Sequence, residues 1–138
     1  MSGWLLDTNV LSEARKRGRA DRGVLAFLGS ADPLDCYLPV QVVGEIRCGV
    51  ERIRRRGDAA QARILEDWLQ QLVSGYAHRI LDFDRDCAEA WGAFMAADPG
   101  HPVDAQIAAI AGLHGLTIVT RNTADFAAIG MATHNPFS

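Results

Sequence analysis

PVDAQIAAIAGLHGLTIVTRNTADF, residues 102–126, contains a helix, a strand and the start of a second helix in one short stretch. Pro102 suits the first position of a helix, where its missing N–H has no intrahelical partner to lose. Val103 to Leu113 is the most apolar helical stretch of the chain, and His114-Gly115 ends it with a stop signal. Leu116-Thr117-Ile118-Val119 is apolar, β-rich and too short for a helix, and it reads as a strand. Thr120-Arg121-Asn122-Thr123 then turns the chain into a short helix over Ala124 to Ile129.

The same alternation extends outward on both sides. Trp4-Leu5-Leu6 is a short apolar run ending in Asp7, which reads as a buried strand. Asp7-Thr8-Asn9 is the turn after it, with Thr8 or Asn9 as the N-cap of a helix over Val10 to Arg15. A basic loop, Arg15 to Arg19, leads to a helical stretch over Val24 to Leu28, which Asp32-Pro33 breaks. Cys36 to Pro39 is a second strand. Val43, Ile46, Val50 and Ile53 recur at three and four, the stripe of a helix that Arg54-Arg55-Arg56-Gly57 ends. Asp58 opens a further helix with a wide apolar face, running to Gly75. Arg79 to Phe83 is a third strand, and Asp84 caps a helix through Ala88, Trp91 and Met95. Asp98 to Pro102 is a loop, and the tail from Met131 adds an edge strand before Asn135-Pro136. Strands alternating with helices predict an α/β sandwich around a short, mainly parallel sheet.

The chain has 138 residues, the size of a single domain over residues 1–138. With 49% hydrophobic and 22% charged residues it has the composition of a globular protein rather than a disordered one. No apolar run approaches the roughly 20 residues that span a bilayer, and no basic leader precedes Asp7. Cys36, Cys48 and Cys87 are an odd set without zinc-site spacing, so a reduced, cytoplasmic protein is expected. The net charge of −3 hides a division. Residues 11–63 carry 11 of the 14 basic groups against 7 acids, whereas residues 64–138 carry 3 against 9. Thirteen of the 14 basic residues are Arg, the cation suited to bidentate phosphate contact.

In open parallel sheets, sites form beyond the carboxyl ends of the strands. Asp7 and Thr120 stand at two such ends, and Asp125 follows a few residues after Thr120. Glu45 lies near the start of the helix after the second strand, and Asp104 in the first turn of the apolar helix. Taken singly, each has an ordinary use. Asp7 or Asn9 can cap a turn, Asp104 and Asp125 can serve helix N-termini, Glu45 can be solvated and Thr120 can close a strand. Together, four carboxylates in one pocket would raise one another's pKa or recruit a hard cation. Oxygen donors point to Mg²⁺, with Mn²⁺ able to substitute, and not to zinc.

The joint pattern resembles a known family. LLDTNVLSE at Leu5–Glu13 looks like the opening of PIN-domain proteins, specifically the VapC-type toxin ribonucleases. VGEIRCGVERI at Val43–Ile53 resembles their second motif, and Pro102–Phe126 resembles their third and fourth, including a TRN-x-x-DF signature. The ending NPF at Asn135–Phe137 is similar to the family's closing turn, where Trp is commoner than Phe. The resemblance implies a PIN-like α/β/α fold and a Mg²⁺-dependent endoribonuclease, the toxin of a toxin–antitoxin pair. It implies that Asp7, Glu45, Asp104 and Asp125 form the metal site, with Asn9 and Thr120 as supporting polar positions. It further implies a homodimer, a cognate antitoxin and possible larger assemblies of the two.

On this reading Asp7 and Asp104 hold the metal, and Glu45 and Asp125 complete its shell or position water. Thr120 would hydrogen-bond water or phosphate, and Asn9 would orient Asp7. The cations at Arg15, Lys16, Arg17, Arg19 and Arg22, and at Arg52, Arg54, Arg55 and Arg56, are either an RNA path or a solvated face with helix C-terminal charges. Ile64 and Trp68, with Leu65, Leu69 and Leu72, are core, a dimer face or an antitoxin groove. Two other α/β enzyme classes fit poorly. A haloacid-dehalogenase-like phosphatase needs an Asp where Asn9 stands, and a receiver domain needs a Lys near the last strand, whereas the one Lys is Lys16. A non-catalytic PIN module would not need the full acidic set.

Overall fold

A computed structural model describes residues 2–138. Its strands are β1 (Trp4–Leu6), β2 (Cys36–Pro39), β3 (Ile80–Leu81), β4 (Thr117–Val119) and β5 (Thr133–His134). The helices are α1 (Thr8–Ala14), α2 (Arg22–Ser30), α3 (Val40–Arg55), α4 (Ala59–Tyr76), α5 (Arg85–Ala97), α6 (Pro102–His114) and α7 (Thr123–Ala127). The five strands form one sheet in the order β3-β2-β1-β4-β5, and every neighbouring pair is parallel.

The central pair explains the layering. Leu5 lies opposite Ile118 and Leu6 opposite Val119, and all four are fully buried. Successive strand residues face opposite sides. Leu5 and Ile118 therefore enter one core with Cys87, Ile107, Ile110 and Phe126, under α5, α6 and α7. Leu6 and Val119 enter the other with Val10, Val24, Val42, Ile46 and Leu69, under α1 to α4. A strand buried on both faces reads as a continuous apolar run, which is why no polar–apolar alternation marks β1 or β4. Helix α6 is buried at Ala105 and along the unbroken run Ile107–Ala111. Its alanines let neighbouring backbone approach closely, and Gly115 ends it in the left-handed conformation (φ 65°).

The expected elements recur with corrected ends. Asp7, not Thr8 or Asn9, is the N-cap of α1: its Oδ1 accepts the Thr8 N–H at 2.8 Å, so the helix begins at Thr8 rather than Val10. Asp21 caps α2 through Val24 N–H, which draws that helix out beyond Val24–Leu28. The third strand is two residues long rather than Arg79–Phe83. Its partner ends in Pro39, opposite Leu81, and Pro has no N–H with which to extend the ladder. Arg79 instead turns its guanidinium to the carbonyls of Pro33, Cys36 and Gly75. The last helix is shorter at its C-terminal end than Ala124–Ile129, stopping at Ala127. Among the described residues, no helix is long and apolar enough to cross a membrane.

Candidate metal centre at the carboxyl edge of the sheet

Parallel strands bring their carboxyl ends to one edge, and here β1 and β4 are adjacent. Asp7 and Thr120 are the next residues of each, so the ladder sets them side by side. Asp7 N–H donates to Val119 O at 3.0 Å, continuing the sheet by one bond. The Thr120 hydroxyl donates to Asp7 Oδ2 at 2.9 Å. Both carboxylate oxygens of Asp7 are thus held, Oδ1 by Thr8 N–H and Oδ2 by Thr120. Thr120 Oγ1 in turn accepts from Asn9 Nδ2 at 3.2 Å and from Asn122 N–H at 3.0 Å. Asn9 Oδ1 accepts the Arg121 N–H at 3.1 Å. Asn9 therefore ties the first turn of α1 to the turn after β4, and it reaches Asp7 through Thr120. Asp7 is 6% exposed and Thr120 fully buried, the two buried polar residues of the described chain.

The other acids arrive on helices. Glu45 lies in the second turn of α3, and its Oε1 accepts the Thr8 hydroxyl at 3.2 Å. Asp104 is the third residue of α6 and Asp125 the third residue of α7. Gln41 on α3 donates to Gln106 on α6 at 3.2 Å, holding the two helices together beside the acids.

Burial and mutual repulsion set the electrostatics. Burial pushes the Asp7 carboxyl above its usual range, against the hydrogen bonds from Thr120 and Thr8. Glu45 is raised by burial, then by the charge of Asp7, with a smaller push from Asp104. Asp104 is raised by burial, then by the charges of Asp7 and Asp125. Asp7, Glu45 and Asp104 thus feel one another, and Asp125 joins through Asp104. Such a group gains from a cation that lets all its members ionise. The donors are carboxylate oxygens, a set that fits a hard divalent ion.

One member of this edge carries no motif in the sequence reading. His101 ends the loop before α6, and its Nε2 lies 3.7 Å from Asp125 Oδ1. His101, Asp104 and Asp125 each offer a ligand atom, all within 4.8 Å of one another. The only sequence signal is that His101 sits three residues before Asp104, one helical turn away. Thr8, read from the sequence only as a cap candidate within the first motif, adds its hydroxyl as the partner of Glu45.

The cations divide. Arg15 lies over the Trp68 ring, Lys16 pairs with Glu13, and Arg54 pairs with both Glu51 and Glu66. These three are engaged within the chain. Arg17, Arg19, Arg22, Arg52, Arg55 and Arg56 are exposed. The α4 face divides as well. Leu69 is buried in the core, whereas Ile64, Trp68 and Leu72 line an open groove of about 610 Å³ with Leu11, Leu28 and Tyr76.

A PIN domain model matches residues 4–130. The toxin FitB of Neisseria gonorrhoeae is 34% identical over 139 residues, which cover 96% of the chain and 97% of that protein. The VapC ribonuclease Y4jK of Sinorhizobium fredii is 34% identical over 140 residues, covering 96% of each. The crystal structure of FitAcB from Neisseria gonorrhoeae superposes with a TM-score of 0.86 at 34% identity, over 96% of this chain and 97% of that one.

Proposed function

The chain belongs to the PIN-domain family, and from that premise we propose that it is a divalent-metal-dependent endoribonuclease, the toxin of a toxin–antitoxin pair. The carrying observation is the meeting of Asp7, Glu45, Asp104 and Asp125 at one sheet edge, three of them with proton affinities raised by burial and neighbouring charge. The names of two relatives, a toxin and a ribonuclease, support the same reading.

Asp7 and Asp104 would hold the ion, Mg²⁺ or Mn²⁺, with Glu45 and Asp125 completing the set. When bound, the ion supplies Lewis-acid stabilisation of charge developing on a phosphodiester and lowers the pKa of water. Thr120 and Thr8 fix the Asp7 carboxylate in place, so little reorganisation is needed when substrate arrives. Glu45, held by the Thr8 hydroxyl, would complete the set or position water. Arg17, Arg19 and Arg22 supply phosphate contacts on the substrate side, and single-stranded loops of structured RNA (tRNA, rRNA or mRNA) are the substrate class.

A cognate antitoxin that inhibits the chain goes with the toxin reading, which the toxin named among its relatives supports. The groove beside α4 suits an apolar segment of such an antitoxin. The functional unit is a cytoplasmic homodimer of one PIN domain per chain, alone or within a larger toxin–antitoxin assembly.

The deciding experiment incubates total RNA with the purified protein in Mg²⁺, in EDTA and with Asp7→Asn protein, followed by end mapping. Discrete cuts in Mg²⁺ alone, lost by at least about 10³-fold in the variant, are expected. Equal cleavage by wild type and a folded Asp7→Asn protein would remove the assignment.

A further inference from the structure

We propose that His101 supplies an imidazole nitrogen to the ion held by Asp104 and Asp125, giving this site a mixed nitrogen–oxygen donor set that favours transition-metal dications over Mg²⁺. The inference rests on the metal-dependent reading above and concerns which ion the site selects.

Three observations carry it. The first is convergence: His101, Asp104 and Asp125 place one ligand atom each within 4.8 Å of one another. Ligand atoms at about 2.1 Å from one ion are separated by roughly 3 Å when adjacent and about 4.2 Å when opposite. Bringing a 4.8 Å separation to these values takes a change of about 0.6 Å to about 1.8 Å, within reach of side-chain rotation. The second is that the imidazole is not otherwise employed in its helix. His101 occupies the N-cap position of α6, yet its side chain makes no capping bond, and it is 57% exposed. The third is that its backbone is held. The Asp98 carboxylate accepts the Gly100 N–H at 3.0 Å, and His101 O accepts the Ala105 N–H at 2.9 Å. Trp91 Nε1 then donates to Pro102 O at 3.1 Å, fastening the start of α6 to α5. The loop thus delivers the histidine to one place beside the acids.

The chemistry follows from the donor. Mg²⁺ prefers oxygen ligands and retains much of its water, so a neutral imidazole adds little to its binding. Imidazole suits later first-row ions, whose affinity for a nitrogen site rises from Mn²⁺ through Co²⁺. A histidine at this corner therefore widens the gap between Co²⁺ or Mn²⁺ and Mg²⁺ without changing the carboxylates.

The test uses the whole chain with single metal ions. Mn²⁺-loaded wild type is examined by pulsed EPR for ¹⁴N coupling from imidazole, and Co²⁺ and Mg²⁺ affinities are measured by calorimetry. The proteins compared are wild type, His101→Ala and His78→Ala, the last a control at an exposed histidine in the turn before β3. Imidazole coupling in wild type and in His78→Ala, absent in His101→Ala, is expected. The Co²⁺ affinity of His101→Ala should fall at least about tenfold, while its Mg²⁺ affinity changes less than about twofold. Bound Mn²⁺ without nitrogen coupling, or an unchanged Co²⁺/Mg²⁺ ratio in His101→Ala, overturns the proposal. If RNA is still cut in Mg²⁺ under that result, the nuclease reading stands and only the histidine's role falls. A wild-type protein that binds no dication and cuts no RNA overturns both.

Discussion

Thr120 shows how much one hydroxyl arranges. It donates to Asp7 Oδ2 and accepts from Asn9 and from the Asn122 N–H, using its full capacity in a fully buried position. Thr120→Val keeps the shape and removes the hydroxyl. It leaves an oxygen of a buried carboxylate and two donors without partners, at a cost of about 1–3 kcal/mol in unfolding free energy. It also removes a bond that favours the ionised form, so Asp7 moves further above its usual range. Thr120→Ser retains the donor and should stay near wild type. Urea denaturation of the three proteins at neutral pH checks this, and a Val variant as stable as wild type would show that the network contributes nothing. At this scale the sequence led to Asp7, Glu45, Asp104, Asp125 and Thr120 as candidates because they follow strand ends or lie near helix starts, and to Asn9 through the family resemblance. It was silent on His101 and on the bond of the Thr8 hydroxyl to Glu45. Their partners lie on other elements, and local spacing does not carry such contacts.

At the scale of elements, α2 and the tail form a clasp beside the site. Asp21 caps α2, and its carboxylate also accepts the Ser138 N–H at 3.0 Å and the Ser138 hydroxyl at 2.9 Å. The Arg121 guanidinium lies 3.8 Å from the centre of the Phe137 ring, so the clasp reaches the turn that follows Thr120. Gly23 makes the close approach: a Cβ there would stand 2.2 Å from Pro136 O and 2.8 Å from Ser138 N, both backbone atoms. Gly to Ala in a helix ordinarily stabilises by about 0.5–1 kcal/mol. Here overpacking reverses the sign, and Gly23→Ala is expected to destabilise by about 1–3 kcal/mol and loosen the tail. Thermal unfolding of the single variant decides it, since a raised Tm would mean that the tail does not lie against α2. The helix–strand–helix unit at 102–126 was legible because an unbroken apolar helix and an apolar strand leave few alternatives. The ends of α1 and β3 were not. Asp, Thr and Asn in a row offer three caps to one helix, and the length of β3 depends on a proline in its neighbour rather than on its own residues.

For the whole molecule, the net charge of −3 conceals acids gathered at the sheet edge and arginines partly engaged elsewhere. On the proposed metal-binding reading, the acids would make stability depend on pH and on metal in one linked way. Asp7, Glu45 and Asp104 have folded-state pKa values above their ordinary ones, so their ionisation opposes folding. Without metal, these groups favour the folded chain fully below their ordinary pKa values and cease to do so as pH rises through the raised ones. A dication bound there would offset that loss, because it interacts with ionised carboxylates and not with protonated acids. At pH 8 a dication at one hundred times its dissociation constant is expected to add about 2.7 kcal/mol to the unfolding free energy. The same concentration at pH 5 should add less, because protons then compete for groups that hold them more tightly than free Asp or Glu. Tm measured at both pH values, with MgCl₂, with MnCl₂ and with NaCl at matched ionic strength, separates site binding from screening. A gain that is the same in NaCl, or that does not shrink toward pH 5, would mean that the acidic edge is not where the ion acts.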